Sequence, residues 1–155
     1  MPSKNSISER AVSLFDSNFN CAEGVLTAAS EFMGKACPFV PSIATPFGAG
    51  MGRRGSVCGA LTGAIMAIGL ACGRTKATDD REKSYALALE AYNRFQDKFG
   101  STFCLELTDC DLTTAEGRKK FDGQGVKKDK CCGYVSACGE MLEEMLERPG
   151  ILTRK

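Results

Sequence analysis

The 155-residue sequence contains no histidine. This absence excludes mechanisms that pair a serine or a cysteine with histidine, and it excludes metal sites with histidine ligands. A general base acting near neutral pH would have to be a carboxylate, a lysine or a thiolate with a perturbed pKa. Attention therefore turns to cysteine, which occurs nine times, an odd number that excludes complete intramolecular pairing.

The sequence also lacks an excess of charge of either sign. Twenty Lys and Arg residues stand against nineteen Asp and Glu residues, which gives a formal net charge of +1. Proteins that bind nucleic acid or anionic membranes electrostatically carry a basic footprint. We therefore expect neither of these partners, and we interpret the lysines of residues 119–130 as part of a solvated face.

No segment has the pattern of a secretory signal or a membrane span. Residues 1–10 are polar, whereas a signal peptide needs an apolar core before its cleavage site. The longest uncharged stretch, residues 55–73, is rich in glycine and is more typical of a buried helix. We expect a cytoplasmic protein without a membrane span. In that compartment, many cysteines indicate metal binding, catalysis or packing rather than a disulfide framework.

Apolar spacing predicts an all-α fold, a single domain over residues 1–155 with five or six helices around a central apolar helix at about 57–72. We expect the fourth helix to bury a stripe of side chains as core. The first predicted helix covers 6–15, the second is capped by Asn20 and ended by Gly34, and the central one is capped by Ser56. The fourth is opened by Thr78 or Asp79, and its stripe consists of Tyr85, Ala88, Leu89, Tyr92, Phe95 and Phe99. Three more follow: a short one capped by Ser101, a polar one opened by a capping box at 113–116, and one over about 130–148.

Four cysteines fall in the predicted first turns of helices: Cys21, Cys58, Cys104 and Cys131. A helix N-terminus carries unpaired N–H groups and a partial positive charge, which stabilise a thiolate and lower its pKa. Such thiols would be ready to react or to bind a metal. Their wide spacing differs from zinc modules and compact ferredoxin motifs, so a shared site requires several helix N-termini to converge.

Residues 50–55, GMGRRG, match the G-x-G-x-x-G pattern of dinucleotide-binding proteins. The context argues against that function, because prolines precede the motif where a strand is needed and no βαβ unit follows. Gly50, Gly52 and Arg53, together with Gly59, could instead provide surroundings that favour an anionic cofactor or thiolate. Equally, the glycines could serve only a sharp turn, with the arginine in water.

The segment CGALTG at residues 58–63 resembles the signature of a family of redox-active proteins named for a C, CGAxxG (or GCAxxG), C, C arrangement of cysteines. Three further segments are similar to the family's other cysteine motifs: NCAE at 20–23, FGSTFCLEL at 99–107, and KC at 130–131 followed by YV at 134–135. The resemblance implies a domain of this size with four characteristic cysteines, presumed redox-active and often encoded near transporters. Cys37, Cys72, Cys110, Cys132 and Cys138 fall outside the pattern and are expected to be packing or incidental thiols, although Cys132 competes with Cys131 for the fourth position.

Three hypotheses follow for Cys21, Cys58, Cys104 and Cys131. They could bind an iron–sulfur cluster for electron transfer or sensing. They could perform thiol–disulfide exchange, with Cys58 as the attacking thiol. Alternatively, the protein could be a non-catalytic module that binds a soft metal or a partner of a transport system. The redox partner is unknown, and homo-oligomers are compatible with each hypothesis.

Overall fold

Helices dominate the computed structural model, which describes residues 6–152. Within that range the chain has no β-strand, so the all-α prediction is confirmed. The expectation of no secretory signal rested on residues 1–10, of which residues 1–5 lie outside the described range. The α-helices are α1 Ile7–Asp16, α2 Cys21–Met33, α3 Gly48–Met51, α4 Gly59–Cys72, α5 Glu82–Phe99, α6 Cys104–Thr108, α7 Ala115–Gly123 and α8 Cys132–Leu146; a 3-10 helix, Ser42–Phe47, precedes α3 and a π-helical segment, Lys127–Cys131, precedes α8.

Among residues 6–152, seven α-helices accompany the central helix α4, where five or six were predicted. The additional elements are short, and α3 has only four residues in the connection between α2 and α4. None of the described helices is both long enough and apolar enough to cross a membrane.

The centre of the fold is α4, which packs against α2, α5 and α8. Its small residues allow close approach: a Cβ added to Gly63 would lie 2.8 Å from the backbone oxygen of Ala22 in α2. Leu61 and Ile68 of α4 meet Leu26 and Leu142 in the main core. Burial of such side chains stabilises the fold by about 1.5–3 kcal/mol each.

Two predicted helix starts are too early by two or three residues, and backbone pairing explains the first. α4 begins at Gly59 with Cys58 as N-cap, not with Ser56. The backbone of Ser56 instead accepts a hydrogen bond from the Cys104 N–H at 2.7 Å. α5 begins at Glu82 rather than after Thr78 or Asp79, because the Asp79 carboxylate accepts from the N–H of Lys76 at 3.1 Å and closes a turn.

The predicted capping box at 113–116 is also wrong. Thr114 is the N-cap of α7, and its hydroxyl accepts from the backbone N–H of Gly117. The hydroxyl of Thr113 lies 2.5 Å from the carboxylate of Asp111 instead. The glycine at the third helical position has no side chain with which to complete the box.

The predicted core stripe of α5 is wrong in part. Tyr85 and Leu89 are 59% and 63% exposed, whereas Leu87, Ala91 and Phe95 form the buried face. Each residue turns a helix by about 100°, so a displacement of two residues points to nearly the opposite side. α5 lies at the edge of the bundle, and only one of its faces is covered by α4 and α8.

Candidate functional site

The sulfur-bearing residues Cys21, Cys58, Cys104 and Cys131 line a single cavity of about 420 Å³. They reach it from different parts of the sequence, at the starts of α2, α4 and α6 and at the end of the π-helical segment. Cys58 and Cys104 are 6% and 8% exposed, while Cys21 and Cys131 are partly buried.

Cys21 is positioned by the capping of α2. The Asn20 side chain accepts from the backbone N–H of Glu23 at 2.9 Å, and the Glu23 carboxylate accepts from the N–H of Asn20 at 2.8 Å. The same two side chains hold the 3-10 helix, because the Asn20 amide donates to the carbonyl of Thr45 and the Thr45 hydroxyl donates to Glu23. Cys21, the first residue of α2, is therefore fixed relative to the loop that follows.

Residues 49–53 form a left-handed turn beside these cysteines. All five φ angles are positive, between 56° and 75°. The conformation costs about 1–2 kcal/mol for each non-glycine residue, and Ala49, Met51 and Arg53 are three such residues. Strain of this kind concentrates at functional sites. Gly50 needs its lack of a side chain as well, because a Cβ there would lie 2.7 Å from the Cβ of Cys104.

The two extended segments that lead into Cys58 and Cys104 pair with each other. Val57 and Phe103 form an isolated antiparallel bridge. The Cys58 N–H donates to the carbonyl of Thr102 at 2.8 Å, and the Cys104 N–H donates to the carbonyl of Ser56 at 2.7 Å. The bridge therefore brings the starts of α4 and α6 together, although 46 positions separate the two cysteines in the sequence.

Cys131 does not occupy an open helix N-terminus, contrary to prediction. It ends the π-helical segment and continues in helical conformation into α8. Wide turns of this kind are frequent at functional sites. The neighbouring Cys132 does not line the cavity. Its sulfur lies 3.8 Å from the carboxylate of Asp16, so adjacent cysteines face different surroundings.

The cavity is walled by apolar side chains and edged by cations. The basic residues are Arg53, Arg118 and Lys127, and Asp122 is the only acidic side chain that lines it among residues 6–152. Lys127 lies 4.5 Å from the centre of the Phe15 ring, so this lysine belongs to the cavity rather than to a purely solvated face. The apolar walls are Phe15, Phe19, Leu107, Leu112, Phe121 and Tyr134.

Burial raises the pKa of all four thiols. Loss of hydration raises the pKa of Cys104 to about 11 and that of Cys131 to about 12, with the negative charge of a Cys21 thiolate as the second cause. The pKa of Cys58 is raised well above its ordinary value by burial and by the Cys21 and Cys138 thiolates. The pKa of Cys21 is also raised by burial.

The expectation of lowered thiol pKa values is therefore wrong. Backbone hydrogen bonds from Ala49, Ala22, Cys21 itself and Gly59 lower the pKa of Cys21, as a helix N-terminus should. Desolvation outweighs them, because a buried thiolate gives up its hydration and the site holds several sulfurs whose charges repel. Without a cation, the four sulfurs are neutral thiols at physiological pH.

Three of the four residues that were predicted to surround the cysteines lie beside them: Gly50, Arg53 and Gly59. A Cβ on Gly59 would lie 2.4 Å from the sulfur of Cys21, so the glycine leaves room for that sulfur. Arg53 lines the cavity, and Gly50 packs against Cys104. Gly52 does not line the cavity.

Sequence reasoning missed several residues at the site. Tyr134 lines the cavity, is 9% exposed, and donates its hydroxyl to the carbonyl of Leu107 at 3.1 Å. Cys110 packs behind Cys104, and Arg118 lines the cavity while donating to the carbonyl of Leu112. No spacing rule identifies these residues, since their proximity depends on how α6, α7 and α8 pack.

All nine cysteines are free thiols. Among residues 6–152, no group of three acidic or cysteine side chains is arranged to hold a metal ion. The chemistry of the donor set still fits a thiolate-ligated group, because soft thiolates bind iron–sulfur clusters and soft metals. The cavity also has the volume of more than ten waters, at about 30 Å³ each.

Comparison with known proteins identifies one matching family. The family described as "Putative redox-active protein (C_GCAxxG_C_C)" matches residues 19–145. Neither curated proteins nor solved structures yield a match. The matched range includes all four cysteines that line the cavity, and the chain therefore belongs to the C_GCAxxG_C_C family.

Proposed function

We propose that this protein is an electron-transfer or redox-sensing protein in which Cys21, Cys58, Cys104 and Cys131 ligate an iron–sulfur cluster. The observation that carries the proposal is the common cavity: four thiols line one half-open space, and the chain contains no histidine. An iron–sulfur cluster bound there would supply one-electron redox chemistry.

The surroundings of the cavity support an anionic, thiolate-rich group. Arg53, Arg118 and Lys127 outnumber Asp122 by three to one. The N–H groups at the starts of α2 and α4 add partial positive charge. The apolar walls limit access of water, which is one of the means by which a protein sets a reduction potential.

The raised thiol pKa values favour ligation over free thiol chemistry. A thiol attacks a disulfide as its thiolate, and burial keeps the thiols of Cys58 and Cys104 protonated. Exchange initiated by Cys58 is therefore slow. A bound cation reverses the balance, because it stabilises each thiolate directly and releases the protons to solvent.

The test is anaerobic reconstitution of the full chain with iron and sulfide. Iron, sulfide and visible absorption should appear in the wild type, and serine substitutions of Cys21, Cys58, Cys104 or Cys131 should each lower the iron content. Cys72→Ser and Cys37→Ser are matched controls, because neither cysteine lines the cavity. Cys132→Ser should also retain iron.

Other outcomes would identify the competing functions. A protein that takes up no iron or sulfide but turns over disulfide substrates would be a thiol–disulfide protein. Tight binding of a soft metal through the same four cysteines, without redox change, would instead support the soft-metal-binding module. Either result would overturn the proposal.

A further inference from the structure

Cys110 is a buried thiol next to the proposed ligand set. It is 1% exposed and packs with Cys104, Leu112 and Val126 in a small cluster of its own. Cys131 packs against the same cluster. Cys104 and Cys110 therefore share one buried cluster beside the cavity, and Cys110 belongs neither to the main core nor to the four family positions.

The backbone of Cys110 is tied to that of Cys104. The Thr108 hydroxyl donates to the carbonyl of Cys104 at 2.7 Å and accepts from the N–H of Cys110 at 3.3 Å. These two bonds keep the Cys104 oxygen and the Cys110 nitrogen within about 6 Å of each other. α6 ends at Asp109 in a left-handed conformation, which turns Cys110 back toward the helix start.

Electrostatics supports the same proximity. A thiolate at Cys110 is among the charges that raise the pKa of both Cys104 and Cys131. The sulfur of Cys110 donates to the carbonyl of Thr108 at 3.3 Å. Its Sγ–H is thus held on the residue that links the two backbones.

We infer that Cys110 is a resolving thiol for Cys104, and that the two close as a disulfide when the metal-free site is oxidised. The oxidant class is a low-molecular-weight disulfide that carries carboxylates, for which the three cations at the cavity are suited. The inference rests on the proposed function only in placing Cys104 at the site.

The exchange balances in two steps. The Cys104 thiol first gives up its proton, which burial makes infrequent, and its thiolate then attacks one sulfur of the small disulfide. A mixed disulfide forms slowly, and one small thiolate leaves and takes up a proton. The Cys110 sulfur then attacks Cys104, so that the protein disulfide forms and the second small thiol leaves with the Cys110 proton. Two protein thiols are oxidised by two electrons, and one small disulfide is reduced to two thiols.

The experiment treats the metal-free full chain with oxidised glutathione and maps the disulfides by mass spectrometry of a non-reducing digest. We expect a peptide pair that joins Cys104 to Cys110, with no glutathione left on Cys104. In Cys110→Ser and Cys110→Ala, glutathione should remain attached to Cys104. Cys72→Ser should behave as the wild type, because that residue lies outside the cavity.

Three results would overturn the inference: Cys104 left reduced after prolonged oxidation, a stable glutathione adduct on Cys104 in the wild type, or a pairing of Cys104 with Cys131 or another cysteine. The wild-type map requires no variant to fold. Since the protein is free of metal throughout, a failure to load iron in the earlier test does not affect this result.

Discussion

Replacement of Gly59 by alanine tests whether the Cys21 sulfur packs directly against α4. The added Cβ would lie 2.4 Å from that sulfur and 3.0 Å from the carbonyl oxygen of Phe47. Ordinary contact begins near 3.4 Å, so the sulfur must move by about 1 Å. Binding constellations need to be held within about 0.5 Å, and we therefore expect Gly59→Ala to lose most of its cluster iron.

Gly69→Ala is the matched control, in the same helix. Gly69 is exposed, and no atom lies within 4 Å of its added Cβ. Alanine in place of glycine within a helix stabilises by about 0.5–1 kcal/mol, which raises the Tm by about 2–4 °C at most for a chain of this size. At Gly59 the same gain is opposed by overpacking, which costs about 1–3 kcal/mol.

The assay combines thermal unfolding of the metal-free proteins with iron content after reconstitution. Gly59→Ala should unfold at or below the wild-type Tm and bind little iron, while Gly69→Ala should unfold higher and bind iron fully. If Gly59→Ala gains as much stability as Gly69→Ala and loads the same amount of iron, the contact between Gly59 and Cys21 is not as described.

Three further predictions concern the cap, the left-handed turn and the buried thiols. Asn20→Ala removes the α2 cap and should destabilise the protein by about 1 kcal/mol in urea unfolding, whereas Asn20→Asp keeps the acceptor for the Glu23 N–H and should recover most of that stability; equal losses in both variants would contradict this account. Met51→Gly should stabilise by about 0.5–1 kcal/mol, because relief of the left-handed strain exceeds the added chain entropy and the side chain is 42% exposed; a loss of stability would show that the strain is absent. The metal-free protein should lose stability as pH rises from about 8.5, the pKa of an unfolded thiol, toward 11. Burial raises the pKa of Cys104 to about 11, so in this range the folded state retains a proton that the unfolded state releases. The contribution of this thiol is up to about 3 kcal/mol, and in urea unfolding Cys104→Ser should lose less stability across that range than the wild type.

Local signals in the sequence were sufficient for the helices whose ends are set by neighbouring residues. The Asn20 cap and the Gly34 terminus of α2 are as predicted, because the cap bonds involve residues within a few positions of each other. The start of α4 was not as predicted, because the carbonyl of Ser56 accepts from the N–H of Cys104, which lies 48 positions away in the sequence. No local pattern contains that partner.

The candidate site likewise combines features that the sequence predicts with features that depend on tertiary packing. The residue types and the CGALTG motif single out Cys58 and its three counterparts, and the absence of histidine excludes mechanisms and metal sites that need that residue. The common cavity depends on the bridge between Val57 and Phe103 and on the turn at 49–53. Cys110 belongs to the same neighbourhood only because α6 folds it back.

The sequence by itself determined an all-helical chain with four cysteines in the pattern of its family, since composition, short motifs and helical periodicity are local properties. Only the tertiary structure decided which thiols meet and in what protonation state. Helix N-termini favour the thiolates, but the packing that brings the four sulfurs together also removes their water. Because desolvation outweighs the helix dipole in that setting, the pKa values of these thiols are raised rather than lowered.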